Sequence, residues 1–403
     1  MYFATSNFLK DAKSASVDWG MPGLRILSIP SQEWYTYRRT LAEIRPTAAK
    51  LLDTLIDGLT RPVSQEEAKP KQLKAEEHPN IKVSAGNYAE AVEKFNQVFL
   101  ENHLGDGLPL IPPTAERVKW MLSGTSRRPT ELLGKCPMKL GNVTVQKLAI
   151  NSVMAGARPE YFPAIVTAME CFVGESGPGQ KGEYFFHTLG SSGAFNLTIV
   201  MNGPLAKEID MNSGMGLFGH GWRANNTIGR AVRLSTITIG QTWPRENDMA
   251  LTGRVSAHTW FTFAENEDAS PWEPYHVSRG FKKEDSVMTV TKVNNIFSTF
   301  GGGAVAFWTA QSILDQMAAR MTKNNAYVAV FDPEVVDELK KLGFSRKDVQ
   351  EWFGQKAGVR PENVNVIVAG GVPGYCMLFT VMMINAHVSK KITGATITKA
   401  GRA

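Results

Sequence analysis

Apolar residues recur along this chain in two rhythms, near 3.6 and near 2, and the alternation between them predicts α/β layers with a parallel or mixed sheet. Leu51, Leu52, Leu55, Ile56 and Leu59 share one face and predict a helix over about Thr47–Leu59. Tyr88–Leu100 reads as a second amphipathic helix, and Thr114 as the N-cap of a third over Ala115–Leu122. Residues 143–172 carry two helical patterns divided by Gly156–Glu160, which places Arg158 and Glu160 at the turn and Pro159 in the first turn of the second helix. Short apolar runs predict strands at Leu24–Ile29, Leu197–Met201, Ser235–Ile239, His258–Ala264, Ser286–Val290, Tyr327–Phe331 and Val364–Ala369.

The order of these elements implies a domain plan. One strand and two helices before residue 62 cannot bury a core alone, so residues 1–62 read as a partial α/β segment that docks on something else. Residues 63–84 are polar, mixed in charge and broken by prolines, which is linker composition. The main α/β region spans 85–388, and 389–403 reads as a loose basic tail. Leu197–Met201 followed by Asn202-Gly-Pro204 and a short helix resembles Tyr327–Phe331 followed by Asp332-Pro333 and the helix Glu334–Leu342. Phe218–Gly221 before a helix likewise echoes Phe300–Gly303 before Ala304–Met321, although the two kinds of unit run in opposite order; together they point to a possible internal duplication.

The stretch Met211–Leu234 departs from both rhythms. Gly214, Gly216, Gly219 and Gly221 precede a helical segment, and His220, Arg223, Asn225, Asn226 and Arg230 supply donors beside them. A glycine loop opening a helix aims unpaired N–H groups outward, so the pattern predicts a wall that holds a carboxylate, a phosphate or a thioester oxygen. Arg158 is a further candidate for the same anion. The literal G-x-G-x-x-G at Gly214, Gly216 and Gly219 lacks the strand immediately before it and the acid about twenty residues later that a dinucleotide fold uses. Tight helix–sheet packing is the plain structural explanation of the same glycines.

A second constellation, Ala264–His276, follows an aromatic strand. Glu265, Glu267, Asp268, Glu273 and His276 crowd into twelve residues, and Pro271 and Pro274 stiffen the loop. Glu265, Glu267, His276 and His220 are the candidate proton carriers. Alternatively, Glu265 and Glu267 cap turns or pair with Arg223 or Arg230. No HExxH or related spacing occurs, so no metal ligands are assigned, and no cofactor follows from the residues. His187, Ser191, Ser192 and Asp106 read as structural, and Gly190–Gly193 does not supply a serine-hydrolase elbow.

Composition narrows the partners. A formal charge of +6 over 403 residues, with cations interspersed among acids, argues against nucleic acid. Three distant cysteines, Cys136, Cys171 and Cys376, form no internal disulfide framework, and Cys376 among Met377, Leu378 and Phe379 reads as an inert buried thiol. The longest apolar region, 364–388, is broken by Gly370, Gly371, Pro373, Gly374, Asn385 and His387 and makes no convincing membrane span. With no basic-then-apolar leader at Met1–Lys10, a cytoplasmic protein is the expectation.

Six phrases carry a family resemblance: Gly105–Thr114 (GDGLPLIPPT), Val153–Tyr161 (VMAGARPEY), Asn202-Gly-Pro204, Phe218–Arg230, Ala264–His276 and Val368-Ala-Gly-Gly371. Together they resemble the large-domain protein associated with UGSC-type (seleno)proteins, named for a selenocysteine/cysteine-Gly-Ser-Cys motif in a small companion domain. The resemblance covers about residues 88–371, and residues 17–62 are similar to the end of the companion domain. That motif itself is not in this chain. The resemblance therefore implies a bacterial hetero-oligomer in which a small subunit carries the remaining half of the companion domain and supplies the thiol or selenol.

The leading expectation is an enzyme subunit acting on a small anionic or acyl-type molecule, by thiol-dependent redox or lyase chemistry. Its rivals are a metal-dependent hydrolase or lyase using His220, His276 and nearby carboxylates, and a non-catalytic binding or scaffold subunit.

Overall fold

The computed structural model describes residues 1–18, 20–30, 40–68, 80–173, 190, 193–244, 248–300, 308–372, 375–381 and 387–396. Residues Met1–Lys82 form one unit, and the chain from Val83 on forms a second.

In the first unit, β1 (Tyr2–Thr5) and α1 (Leu9–Asp18) precede β2 (Ile26–Ile29), α2 (Leu41–Thr60) and the single turn α3 (Gln65–Ala68). The sequence pattern missed β1, which pairs parallel with β2. Helix α2 starts earlier than the apolar face alone predicts because Thr40 and Glu43 close a capping box ahead of it. Part of the expected linker is tied down, since Arg25 pairs with Glu67 at 2.7 Å and donates to the carbonyls of Gly58, Arg61 and Pro62.

The second unit begins with α4 (Tyr88–Glu101) and α5 (Ala115–Leu122), capped by Asn87 and Thr114. Between them Gly105–Pro113 is a loop, as its prolines and glycines demand. A hairpin of β3 (Leu132–Cys136) and β4 (Gly141–Thr144) leads to α6 (Val145–Ala155) and α7 (Phe162–Val173). Then come β5 (Asn196–Asn202), α8 (Pro204–Glu208), α9 (Arg223–Thr238), β6 (Phe261–Ala264), the turn α10 (Tyr275–Ser278), β7 (Val287–Val293) and β8 (Asn295–Phe300). The chain continues through α11 (Ala310–Ala318), β9 (Ala326–Phe331), α12 (Pro333–Lys341), α13 (Arg346–Ala357), β10 (Val364–Val368), β11 (Tyr375–Val381) and β12 (His387–Lys391).

Two predicted elements are corrected. Ser235–Ile239, read as a strand from its β-branched residues, is the last turn of α9, because burial of Ala231, Val232, Leu234 and Ile237 on a helical face overrides local propensity. The start of the predicted basic tail is β12, whose Ser389 and Lys390 sit opposite Thr289 and Met288 of β7.

Strands β5–β12 build two four-stranded sheets, β12-β7-β5-β6 and β10-β9-β11-β8. The two are the same arrangement. Val200 is opposite Phe263 in a parallel pair and Thr289 in an antiparallel pair, and Thr289 is opposite Ser389. Val330 is opposite Ile367 in parallel and Met377 in antiparallel, and Met377 is opposite Ser298. Direction and register match strand for strand, so α7-β5-α8-α9-β6-β7 corresponds to α11-β9-α12-α13-β10-β11. The fourth strands are exchanged: β7 runs through Asn294 into β8 of the other sheet, and β12 returns to the first. The strand–proline–helix half of the expected duplication holds, with β5-α8 matching β9-α12, whereas α9, the helix after the glycine stretch, corresponds to α13 and not to the helix after Gly303. Residues 301–307, which carry most of the Phe300–Gly303 echo, lie outside the described residues.

Period-2 alternation divides the second sheet between two cores. Ala326, Val328, Val330, Ile367, Phe379 and Val381 join the core shared with the first sheet, whereas Tyr327, Ala329, Phe331, Val364, Val366, Val368 and Leu378 pack under α11, α12 and α13. Strands β5, β7 and β9 are buried at every residue, as strands covered on both faces must be.

Candidate functional site

Because β5 and β6 are parallel, with Met201 opposite Ala264, their C-terminal ends release Asn202 and Glu265–Glu267 side by side. Sheets of this kind bind ligands beyond such strand ends. Asn202 is fully buried, and its amide Nδ2 donates to Glu265 Oε2 at 2.5 Å and to Glu267 Oε1 at 3.0 Å. Gly203 then turns the chain at φ +87°, where a Cβ would lie 2.1 Å from the Asp285 carbonyl oxygen, and its N–H donates to Glu267 Oε1 at 2.7 Å.

The neighbouring carboxylates differ in kind. Glu265 has no side-chain exposure; besides Asn202 it accepts from the Tyr275 N–H at 2.6 Å, Arg346 Nη2 at 2.9 Å and the Val368 N–H at 3.4 Å. Four donors fill a carboxylate's acceptor capacity, so Glu265, expected as a proton carrier, is a structural anchor instead. Its cation is Arg346, and neither Arg223 nor Arg230 pairs with it. Glu267 stays 17% exposed, and its Oε1 lies 3.6 Å from His276 Nδ1. The imidazole is buried, and Nε2 lies 3.1 Å from the Lys282 carbonyl oxygen. A carbonyl only accepts, so Nε2 carries a hydrogen and Nδ1 is the ring nitrogen turned toward Glu267. Neither Nδ1 nor the adjacent Asn202 Oδ1 has a hydrogen-bond partner. The arrangement can hold or move a proton between imidazole and carboxylate, with one buried amide oxygen beside it that has no donor.

The loop Ala264–His276 also straps the two halves together. Trp272 Nε1 donates to the Phe344 carbonyl at 2.9 Å, the Tyr275 hydroxyl to Asn365 Oδ1 at 2.8 Å, and the Asn266 N–H to the Val368 carbonyl at 2.7 Å. Burial pushes the Tyr275 phenol up to about 12, which keeps it a neutral donor. Arg346, under Trp272 and Tyr275, also donates to the carbonyls of Glu273 and Val366.

The glycine stretch is pinned where β6 and β10 end. The Gly370 N–H donates to the Ser213 carbonyl at 2.8 Å, Ala264 donates to the Asn212 carbonyl, and the Phe218 ring meets Phe261, Phe263 and Phe379 edge-on. Gly219, His220 and Gly221 are exposed, and α9 begins after Trp222 with no side-chain cap, so its first N–H groups remain available.

Most of the predicted anion-binding side chains have protein partners. Arg230 clamps the Gly105–Pro113 loop through a two-bond pair with Asp106, at 2.8 and 2.9 Å, and through the carbonyls of Leu108 and Pro109. Arg223 donates to the Gly156 carbonyl, Arg158 pairs with Glu160 at 2.6 Å, and Asn225 is buried with both side-chain groups on the backbone of Asn212 and Thr262. Asn226 stays partly exposed on the first turn of α9. What the stretch leaves unpaired for an anion is therefore backbone amides more than arginines.

Sequence reasoning did not single out Asn202 or Arg346. Asn202 had a signal, being the polar residue that ends an apolar strand; Arg346, at the start of a helix capped by Ser345, had none. Lys292 is a third buried group, its amine over the Phe195 ring and lowered to about 8 by burial, but it pairs with Leu197 at the opposite end of β5 from Asn202. Cys136, Cys171 and Cys376 are buried, and burial pushes the Cys136 and Cys376 thiols well above the usual range. Among the described residues no group of three His, Cys, Asp or Glu side chains is placed to hold a metal ion, and no helix is long and apolar enough to cross a membrane. His187, Ser191 and Ser192 lie outside the described residues. No family model, curated protein or solved structure matches this chain.

Proposed function

We propose that this chain is the large subunit of a hetero-oligomeric enzyme that acts on a small anionic or acyl-type substrate, with Glu267 and His276 as its proton-transfer pair. The observation that carries this reading is the buried His276 imidazole. Its Nε2 faces a carbonyl, while its partnerless Nδ1 faces the partly exposed Glu267 beyond the C-terminal ends of parallel strands. Asn202 Oδ1 orients the substrate by accepting a hydrogen bond, and the glycine loop with the uncapped turn of α9 receives the negative group.

The assembly rests on the first unit. Tyr2 and Phe3, on opposite faces of β1, are about half exposed, and Phe8, Leu52, Ile56 and Leu59 are exposed as well. Helix α2 buries no residue. A two-stranded parallel sheet that buries only Ala4 and Leu27 is an incomplete layer, and a small subunit that adds strands and helices would complete it. In the UGSC-like reading the same subunit brings the thiol or selenol, consistent with the sealed cysteines of this chain.

Copurification from the native cell, with identification of the partner polypeptide and the bound small molecule, supplies the assay. In the reconstituted complex Glu267→Gln and His276→Asn each lower turnover at least about a hundredfold with the fold intact. Full turnover by both variants removes the acid–base pair, and a stable, active monomer of this chain alone removes the hetero-oligomer.

A further inference from the structure

The carbonyl oxygen that fixes His276 Nε2 belongs to a turn built on one buried charge. The Lys282 carbonyl accepts from His276 at 3.1 Å and from the Asp285 N–H at 3.0 Å. The Asp285 carboxylate closes the same turn from its other side, accepting from the Lys282 N–H at 3.1 Å. Lys282, Lys283 and Glu284 are exposed, whereas Asp285 is only 7% exposed.

A carboxylate out of water needs donors around it. Asp285 has the Lys282 N–H and the ammonium of Lys391. Lys391 first, and then the Lys282 N–H, hold its carboxyl below the usual range, so it is ionised at neutral pH. Lys391 closes β12, the exchanged strand that returns to the first sheet, and sits opposite Val287. The next N–H, that of Ile392, donates to the Ser286 carbonyl at 2.7 Å, and Ser286 Oγ accepts from the Leu205 N–H at 3.0 Å. The Asp285 carbonyl oxygen fills the space where a Cβ on Gly203 would stand. The turn is thus fixed against β12 on one side and against the end of β5 on the other.

We propose that Asp285 is a positioning residue for His276: it closes the Lys282–Asp285 turn, aims the Lys282 carbonyl at Nε2, and so keeps Nδ1 toward Glu267. Lys391 of the exchanged strand holds Asp285 in place. An imidazole takes its orientation and its hydrogen positions from the group that binds its far nitrogen, and here the turn decides where that group points. The consequence for turnover rests on the proposed proton transfer between Glu267 and His276; the orientation of the ring does not.

The test is nuclear magnetic resonance of the full chain with isotope-labelled histidine, in which His276→Asn identifies the His276 signals. In the parent, Nε2 carries a hydrogen that exchanges slowly with water. Asp285→Ala speeds that exchange at least about tenfold, while the backbone amides of β7, followed by mass spectrometry, keep their protection. Asp285→Asn, whose amide oxygen still accepts from Lys282, stays within about threefold of the parent. Should Asp285→Ala not fold, Lys391→Met, at a half-exposed side chain, takes its place with an acceleration of about threefold. Exchange as in the parent overturns the positioning role, and so does equal acceleration by Asp285→Ala and Asp285→Asn. In the reconstituted complex Asp285→Ala lowers kcat about tenfold and leaves KM within about twofold. A parent-like kcat there, beside a lowered one in His276→Asn, overturns the role in turnover. If His276→Asn turns over fully while Asp285→Ala still frees the ring hydrogen, the proton-transfer pair falls and the positioning stands.

Discussion

Glu265 at the end of β6 and Arg346 at the start of α13 form a buried ion pair at 2.9 Å, one partner from each of the two matching halves. Removing the cation leaves a sealed carboxylate. Arg346→Met lowers the unfolding free energy by about 3–5 kcal/mol in denaturant titration, and adding Glu265→Gln restores part of the loss. A single variant within about 0.5 kcal/mol of the parent would show that the pair does not join the halves.

Helix α9 approaches β6 at Gly229, where a Cβ would stand 1.7 Å from the Thr259 carbonyl oxygen and 2.3 Å from Thr262 Oγ1. Alanine favours a helix interior by about 1 kcal/mol over glycine, but the obstacle is backbone and cannot swing aside. Gly229→Ala therefore destabilises, by about 2 kcal/mol net. Unchanged or higher stability in calorimetry contradicts the close packing.

Burial of all three cysteines sets their chemistry. Native protein at pH 8 consumes no thiol reagent over the minutes in which free cysteine reacts, and unfolded protein consumes three equivalents. A fast equivalent in the native state identifies a reactive thiol and reverses the inert reading.

His387, the first residue of β12, accepts a hydrogen bond from Arg279 Nη2 at 2.5 Å on its Nε2. Burial, and then the Arg279 charge, depress its pKa from 6.5 to about 4. Between those values the unfolded chain binds a proton that the native state refuses, so this contribution is fully present above 6.5 and is lost as pH falls toward 4. At about 1.4 kcal/mol per unit the loss is at most roughly 3 kcal/mol. Urea unfolding at pH 7.5 and pH 5 shows a smaller difference for His387→Gln than for the parent; equal differences refute the assignment.

The sequence by itself determined the local elements. Thr114 caps its helix, Pro159 opens the turn before α7, the 105–113 loop stays irregular, and Tyr327–Phe331 is a strand, because these depend on neighbours a few residues away. Tertiary structure decided what each charge meets. Glu265 finds Arg346 across 81 positions, and Arg230 finds Asp106 across 124. No local spacing encodes such partners, so the glycine stretch kept its amide donors while its arginines turned to the protein. The exchange of β8 and β12 was hidden for the same reason. Strand order is settled by which long-range pairing buries both faces of a sheet, and only the folded chain makes that comparison.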